Sequence, residues 1–302
     1  MYKPRKDPGL GEKYKAKTKR VINKDGSFNV KYVGKNTRVK NVYHLLMMLP
    51  WWKFMIGIFI AYFLINAFFA SIYYLIGVNE IGSASTDGLE AFMDAFFFSV
   101  QTLTTIGYGA MAPQGIASHS VATIEALLGV LSFAIGTGIF YGRFARPSAE
   151  ILFSDNAIIH HNNDKRFLQF RIVNRRKNIL MDVEATVILV WNEENYQRRY
   201  FQLDLETSQI VFFPMNWTLV HEISKDSPLH NRDHEELIAM NAELLILIKG
   251  FDDSFNQMVH TRYSYRWDEV LWDQQFAKAF HTNQEGDIIM DVDKIHEVNT
   301  DK

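Results

Sequence analysis

The sequence predicts a multidomain membrane protein of the α + β class. Two helices span a bilayer, a shorter re-entrant helix lies between them, and a soluble β-sandwich follows. Three observations carry this. Phe54–Gly77 holds no charge, and Ile116–Tyr141 is a second apolar run whose one acid is Glu125. Between them stands TTIGYG at 104–109, polar and glycine-rich. From residue 167 the chain changes to short apolar runs parted by polar turns.

Residues 1–40 carry thirteen Lys or Arg against three acids and read as a basic cytoplasmic tail, not a secretory signal. Binding to anionic lipid accounts for that charge more simply than binding to nucleic acid. Residues 41–52, with the run VYHLLMMLPWW, suffice only for a short interfacial helix. A membrane domain at 53–144 comes next, with an outer helix at 54–77 and an inner helix at 116–143. About 20 apolar residues cross a bilayer, so burial of both runs in a soluble core is the weaker account. Trp51, Trp52, Phe140 and Tyr141 flank the spans as interfacial anchors. Val78–Gly115 has four acids and no Lys or Arg, whereas Arg143 and Arg146 follow the second span. The positive-inside rule then places both termini in the cytoplasm.

The loop between the spans is the informative part. LEAFMDAFFFSVQTLT makes about four helical turns, too few to cross the membrane. With Asp87 and Glu90 in its first turn it reads as a half-helix over 88–104, its negative end pointing inward. Irregular backbone at membrane depth survives only where it lines a polar path. Gly107 and Gly109 supply the dihedral freedom for such a path. Carbonyls of Thr105, Ile106, Gly107 and Tyr108, gathered from several chains, would form oxygen cages for a dehydrated cation. The Thr105 hydroxyl adds an innermost ring, as in the closely similar TVGYG loop of potassium channels. One chain supplies only part of such a cage, so the chemistry requires an oligomer. No nucleophile–base pair or phosphate-cradling lysine appears, which points away from an enzyme. The chain has no cysteine, which excludes disulfides and cysteine metal sites.

Residues 145–302 read as β structure. FLQFRIV (167–173), VEATVILVW (183–191), RYFQLDL (199–205), IVFF (210–213), WTLVHEI (217–223) and ELLILIK (243–249) alternate with polar turns. Many short strands favour a sandwich over a βαβ sheet. His160, His161, His221, His230, His234 and His260 read as solvated loop residues, since no Cys and no HExxH accompany them. Phe201, Phe212, Phe213 and Trp217 read as core or interface packing.

FFFSVQTLTTIGYG, YGRFARPSAEILFSDNAII, VHEISKDSPL and DEVLW stand in the order found in inward-rectifier potassium channels of the bacterial kind. The chain resembles that family from about Val42 to about His296. The resemblance implies a homotetramer in the bacterial inner membrane that conducts K⁺ passively. It implies a cytoplasmic immunoglobulin-like sandwich extending the pore, and no cofactor beyond the permeant ion. By resemblance, Thr105, Ile106, Gly107, Tyr108 and Gly109 are the selectivity filter, with Thr104 as filter support. Gly129 matches the inner-helix glycine, and Phe133 stands where strong rectifiers carry an acid. Tyr141 resembles the aromatic constriction at the cytoplasmic end, and these residues with Gly250 make up the pore lining and gates. Gly250, with the residues to about Asn256, resembles the narrow loop capping the vestibule. Val42–Trp52 resembles the slide helix.

Departures from the family pattern matter too. Many relatives pair a Glu with an Arg around the filter, where this chain has Gln101 and Met111. Filter support must come from other contacts. Trp52, Lys53, Arg143 and Arg146 are the expected anionic-lipid site, although the basic cluster is thin and phosphoinositide activation is not implied. Glu125 is either a charge in the pore cavity or a support behind the filter. It lies about 80° around the helix from Phe133, which favours support. With Phe133 apolar, block by internal polyamine or Mg²⁺ is expected to be weak. One alternative is a non-rectifying, ligand-gated K⁺ leak channel with the sandwich as sensor. Another is a non-conducting membrane-anchored receptor, which leaves TTIGYG unexplained.

Overall fold

Proline decides where the first membrane helix begins. The computed structural model describes residues 6–12, 20–31, 42–85, 88–145, 149–162, 164–176, 178–193, 197–213 and 215–300. Helix α1 (Val42–Met48) stops short of Pro50, and α2 (Trp51–Ile76) starts just after it. Proline disfavours helical backbone in the residue before it, while its own fixed φ suits a helix start. The interfacial helix is thus shorter than the expected 41–52, and Trp51 and Trp52 belong to α2. Gly77, at φ 112°, ends α2 in a conformation that glycine tolerates best.

A 3₁₀ turn (Val78–Ile81) follows, then α3 (Gly88–Leu103) and α4 (Ile116–Phe144). Asp87, expected to cap α3, lies outside the described residues. Phe69, Ala70 and Tyr73 of α2 bury against Ala91, Ala95 and Phe98 of α3. The two alanines share a helix face, and their small size lets the backbones approach. Elsewhere α2 and α4 expose large apolar side chains, including Phe59, Leu75 and Phe133. Only 17% and 11% of their apolar windows are buried, so these are not core helices of a soluble protein.

The chain divides into two compact units, Gly34–Arg146 and the combination of Met1–Val33 with Pro147–Lys302. The second unit is a β-sandwich. Its first sheet holds β1 (Ile151–Phe153), β2 (Ala157–Asn162), β3 (Lys165–Asn174), β7 (Asn216–Glu222) and β10 (Val270–Trp272). Their order is β1-β3-β2-β10, with β7 also paired to β3. The second sheet runs β5 (Arg198–Leu203), β4 (Leu180–Asn192), β8 (Glu243–Asp252) and β9 (Gln257–Arg266), with β6 (Gln209–Phe212) on β4. A short helix α5 (His234–Ala239) precedes β8. Leu168, Phe170 and Ile172 of one sheet and Val187, Leu189, Leu244, Ile246 and Ile248 of the other alternate inward to form the core. That is the period of two a half-buried strand requires. Two small ladders, β11 (Gln274–Phe276) with β14 (Val298–Thr300) and β12 (Phe280–Thr282) with β13 (Ile288–Met290), complete the unit.

Part of the expected basic tail is built into this unit. Ile22 is buried among Val190, Tyr200 and Leu245. Glu243, itself buried, accepts from the Val21 amide at 2.9 Å and the Ile22 amide at 3.3 Å. Arg20 pairs with Glu269 at 2.5 Å and donates from Nε to the Ser264 hydroxyl at 2.9 Å. A single isoleucine in a lysine-rich stretch has no periodicity to announce it, and its partners lie more than a hundred residues away.

Candidate ion-conduction site

The site is built at the C-terminal end of α3. Past Leu103 the helix loosens: the Thr104 amide still reaches the Val100 carbonyl, while the Ile106 amide reaches back to Gln101 at 2.9 Å. The Thr104 hydroxyl donates to the Val100 carbonyl at 2.6 Å, so this side chain closes its own helix. Beyond it the backbone alternates. Thr105, Gly107 and Gly109 have φ of 59°, 58° and 81°. A β-branched residue at positive φ is strained, so Thr105 is held there by its surroundings. At Gly107 and Gly109 the φ itself, not crowding, favours glycine: a β-carbon would meet nothing within 4 Å. Ile106 and Tyr108 are 51% and 75% exposed in the single chain.

A polar network lies among the apolar helices α2, α3 and α4. Glu125 of α4 is fully buried. It accepts from the Tyr73 hydroxyl of α2 at 2.7 Å and from the Ser99 hydroxyl of α3 at 2.5 Å. Ser99 also lies 3.1 Å from Asn66 of α2. Three helices are thereby joined at one carboxylate. Asn66, Tyr73 and Ser99 were not singled out from sequence, although Asn66 is a polar residue inside an uncharged span and so a visible signal.

Gly129, one turn beyond Glu125, faces α3 as well. A β-carbon there would stand 2.1 Å from the Leu103 carbonyl oxygen. Gly129 is buried, and the lack of a side chain there lets α4 approach the end of α3. Phe133 and Tyr141 are 79% and 75% exposed. Phe133 and Gly129 border a crevice of about 960 Å³ that also takes in Leu103, Thr104 and Thr105.

The expected lipid site divides. Arg143 is not a free headgroup ligand. Its guanidinium donates to the Leu46 carbonyl and, at 2.6 Å, to the Leu49 carbonyl, which helix α1 leaves without intrahelical partners. It also stacks over the Trp51 and Phe54 rings at 4.7 and 4.4 Å. Lys53 and Trp52 remain exposed, with the ammonium 5.2 Å from the Trp52 ring centre. Arg146 lies outside the described residues.

Gly250 also departs from expectation. It sits inside β8, paired with Val259, and the turn that follows is 253–256. A β-carbon on Gly250 would lie 3.1 Å from Val183, beside a bulge in β4 between Met181 and Glu184. Among the histidines, His221 is buried, not solvated. Its Nδ1 lies 2.6 Å from the Asp204 carbonyl and its Nε2 2.8 Å from the Ser227 hydroxyl. His160 and His161 lie in β2 and His260 in β9, not in loops. No cluster of three metal-ligating side chains occurs among the described residues.

Comparison with known proteins agrees with this architecture. The family model for the inward rectifier potassium channel C-terminal domain matches residues 151–301, and the ion channel model matches 57–145. The inward rectifier potassium channel Kirbac3.1 of Paramagnetospirillum magnetotacticum is 35% identical over 294 residues, covering 95% of this chain and 98% of that protein. Among solved structures, OgpA from Akkermansia muciniphila is 14% identical over 41% of this chain and 29% of its own, with a TM-score of 0.21. Spo0M, a sporulation control protein from Bacillus subtilis, is 7% identical over 40% of this chain and 49% of its own, with a TM-score of 0.20. Those two likenesses carry no argument. The extent and identity of the match to Kirbac3.1 do: the chain belongs to the inward rectifier potassium channel family and is a membrane potassium channel, not an enzyme.

Proposed function

We propose that K⁺ crosses the membrane at the axis of a homotetramer, selected by the backbone of Thr105–Gly109 from four chains. One observation carries this reading: left-handed backbone at every second residue, 105, 107 and 109. Alternation of that kind turns successive peptide planes over, so that carbonyls otherwise opposed face one side. Four such rows form the stacked oxygen cages that replace a hydration shell. The exposure of Ile106 and Tyr108 in one chain supports an assembly that covers them.

Gating belongs to the end of α4. Four Tyr141 rings would close the pathway by excluding water. Both termini lie in the cytoplasm, a reading the charge asymmetry around the spans supports, and the membrane is the bacterial inner membrane. Anionic lipid acts at Lys53 and Trp52, each basic residue near such a surface gaining about 1 kcal/mol. Rectification is weak, because Phe133 offers a polyamine or Mg²⁺ an apolar wall where a carboxylate ring would hold it. The test is K⁺ and Na⁺ flux from purified protein in liposomes of defined lipid. Wild type discriminates between the ions, and Gly107→Ala loses that discrimination while remaining a tetramer. Retained discrimination in Gly107→Ala would contradict the filter assignment.

A further inference from the structure

The residues after the filter raise a question that the network at Glu125 does not answer. That network meets the re-entrant segment at Ser99 of α3. The outer arm, residues 110–115, has no regular structure, and Gln101 and Met111 cannot form an ion pair across it. Something else must fix its position.

Two backbone hydrogen bonds reach this arm from one place. The Ala112 amide donates to the Ile81 carbonyl at 3.1 Å, and the Gln114 amide donates to the Glu80 carbonyl at 2.8 Å. Both acceptors belong to the 3₁₀ turn after α2, which is firmly seated. Ile81 is fully buried and Val78 nearly so, packed with residues of α2 and α3, and Met111 packs on the same cluster. The turn is then tied to α3 by a carboxylate. Asp94 Oδ2 accepts from the Ser83 hydroxyl at 2.6 Å and from the Ser85 hydroxyl at 2.8 Å. The Ser83 amide closes the turn on the Val78 carbonyl at 3.1 Å.

We propose that this turn is the outer brace of the selectivity filter, with Asp94 and the Ser83 and Ser85 hydroxyls as the lock that holds it to the pore helix. The re-entrant segment enters along α3 and leaves along residues 110–115, and the turn binds both limbs. A carboxylate with two neutral donors thereby takes the part that an ion pair could play. Hydrogen bonds to a charged acceptor are about twice as strong as neutral ones, and the hydroxyls pin the turn by its side chains as well as its backbone. Asp94, Ser83 and Ser85 are positioning residues: they touch no ion and act through the geometry of the arm.

This inference rests on the filter reading above, and the test separates the two. K⁺ and Na⁺ flux is measured for wild type, Gly107→Ala, Asp94→Ala and the double variant Ser83→Ala/Ser85→Ala, each first shown to be tetrameric. A wild type without selectivity, or a selective Gly107→Ala, overturns the filter reading and this inference with it. Given a selective wild type and a non-selective Gly107→Ala, both brace variants are expected to keep passing K⁺ while their K⁺/Na⁺ flux ratio falls about tenfold. Asp94→Asn, which keeps one acceptor oxygen, should fall less. A purely structural role would lower the yield of tetramer without moving the ratio. Wild-type ratios in both tetrameric brace variants overturn the inference. Should Asp94→Ala fail to assemble, the double variant decides alone, because its changes lie in a partly exposed turn.

Discussion

At Glu125 two hydroxyl groups, from Tyr73 and Ser99, converge on one buried carboxyl group. Each donor left without an acceptor at such a site costs about 1–3 kcal/mol. Glu125→Leu should therefore lower the thermal stability of the purified channel clearly, and Glu125→Gln, which keeps an acceptor, by less. Equal melting temperatures for wild type and Glu125→Leu would mean the network holds nothing. His221 makes a separate prediction outside the membrane. Burial pushes its imidazole below the usual 6.5, partly offset by the nearby Asp204 carbonyl and the charges of Asp204 and Glu222. The unfolded chain then binds this proton at a higher pH than the folded one. Stability linked to His221 is complete above 6.5 and lost as pH falls through the folded-state value. His221→Gln should flatten the fall in melting temperature between about pH 8 and 5; an unchanged slope would remove His221 from the account.

Helices and strands show which parts of the fold were legible in the sequence. Spans α2 and α4 are dictated by long runs without charge, and TTIGYG has a meaning only between such spans, so both were readable. The strands β3, β4, β5, β7 and β8 were readable because each buries one face. By contrast β2 and β9 mix histidines and polar residues into their runs, and their pairing depends on neighbours already in place. The role of Arg143 was hidden for a similar reason. A basic residue after a span looks the same whether it meets a lipid phosphate or the open carbonyls of another helix. Here it meets Leu46 and Leu49 and so ties α1 to α4. Arg143→Gln should alter channel opening while leaving the anionic-lipid titration near wild type, and Lys53→Gln should shift that titration. A lipid shift from Arg143→Gln as large as that from Lys53→Gln would restore Arg143 to the lipid site.

For the whole molecule, the single chain carries a quarter of the proposed filter, and its exposed apolar helix faces are those of a subunit in a membrane. The segment around Ile22, Arg20 and Glu243 means that residues before the first span fold with the sandwich that follows the second. The central claim is that carbonyls of Thr105–Tyr108 from four chains hold dehydrated K⁺. Its most direct test is diffraction from crystals of the channel grown with Tl⁺ in place of K⁺, using the anomalous signal of the heavier ion. A column of peaks is expected on the fourfold axis between the Thr105 and Tyr108 carbonyls, thinned or lost in Gly107→Ala. Tl⁺ bound elsewhere in the channel, with no peak along that segment in a conducting wild type, would contradict it.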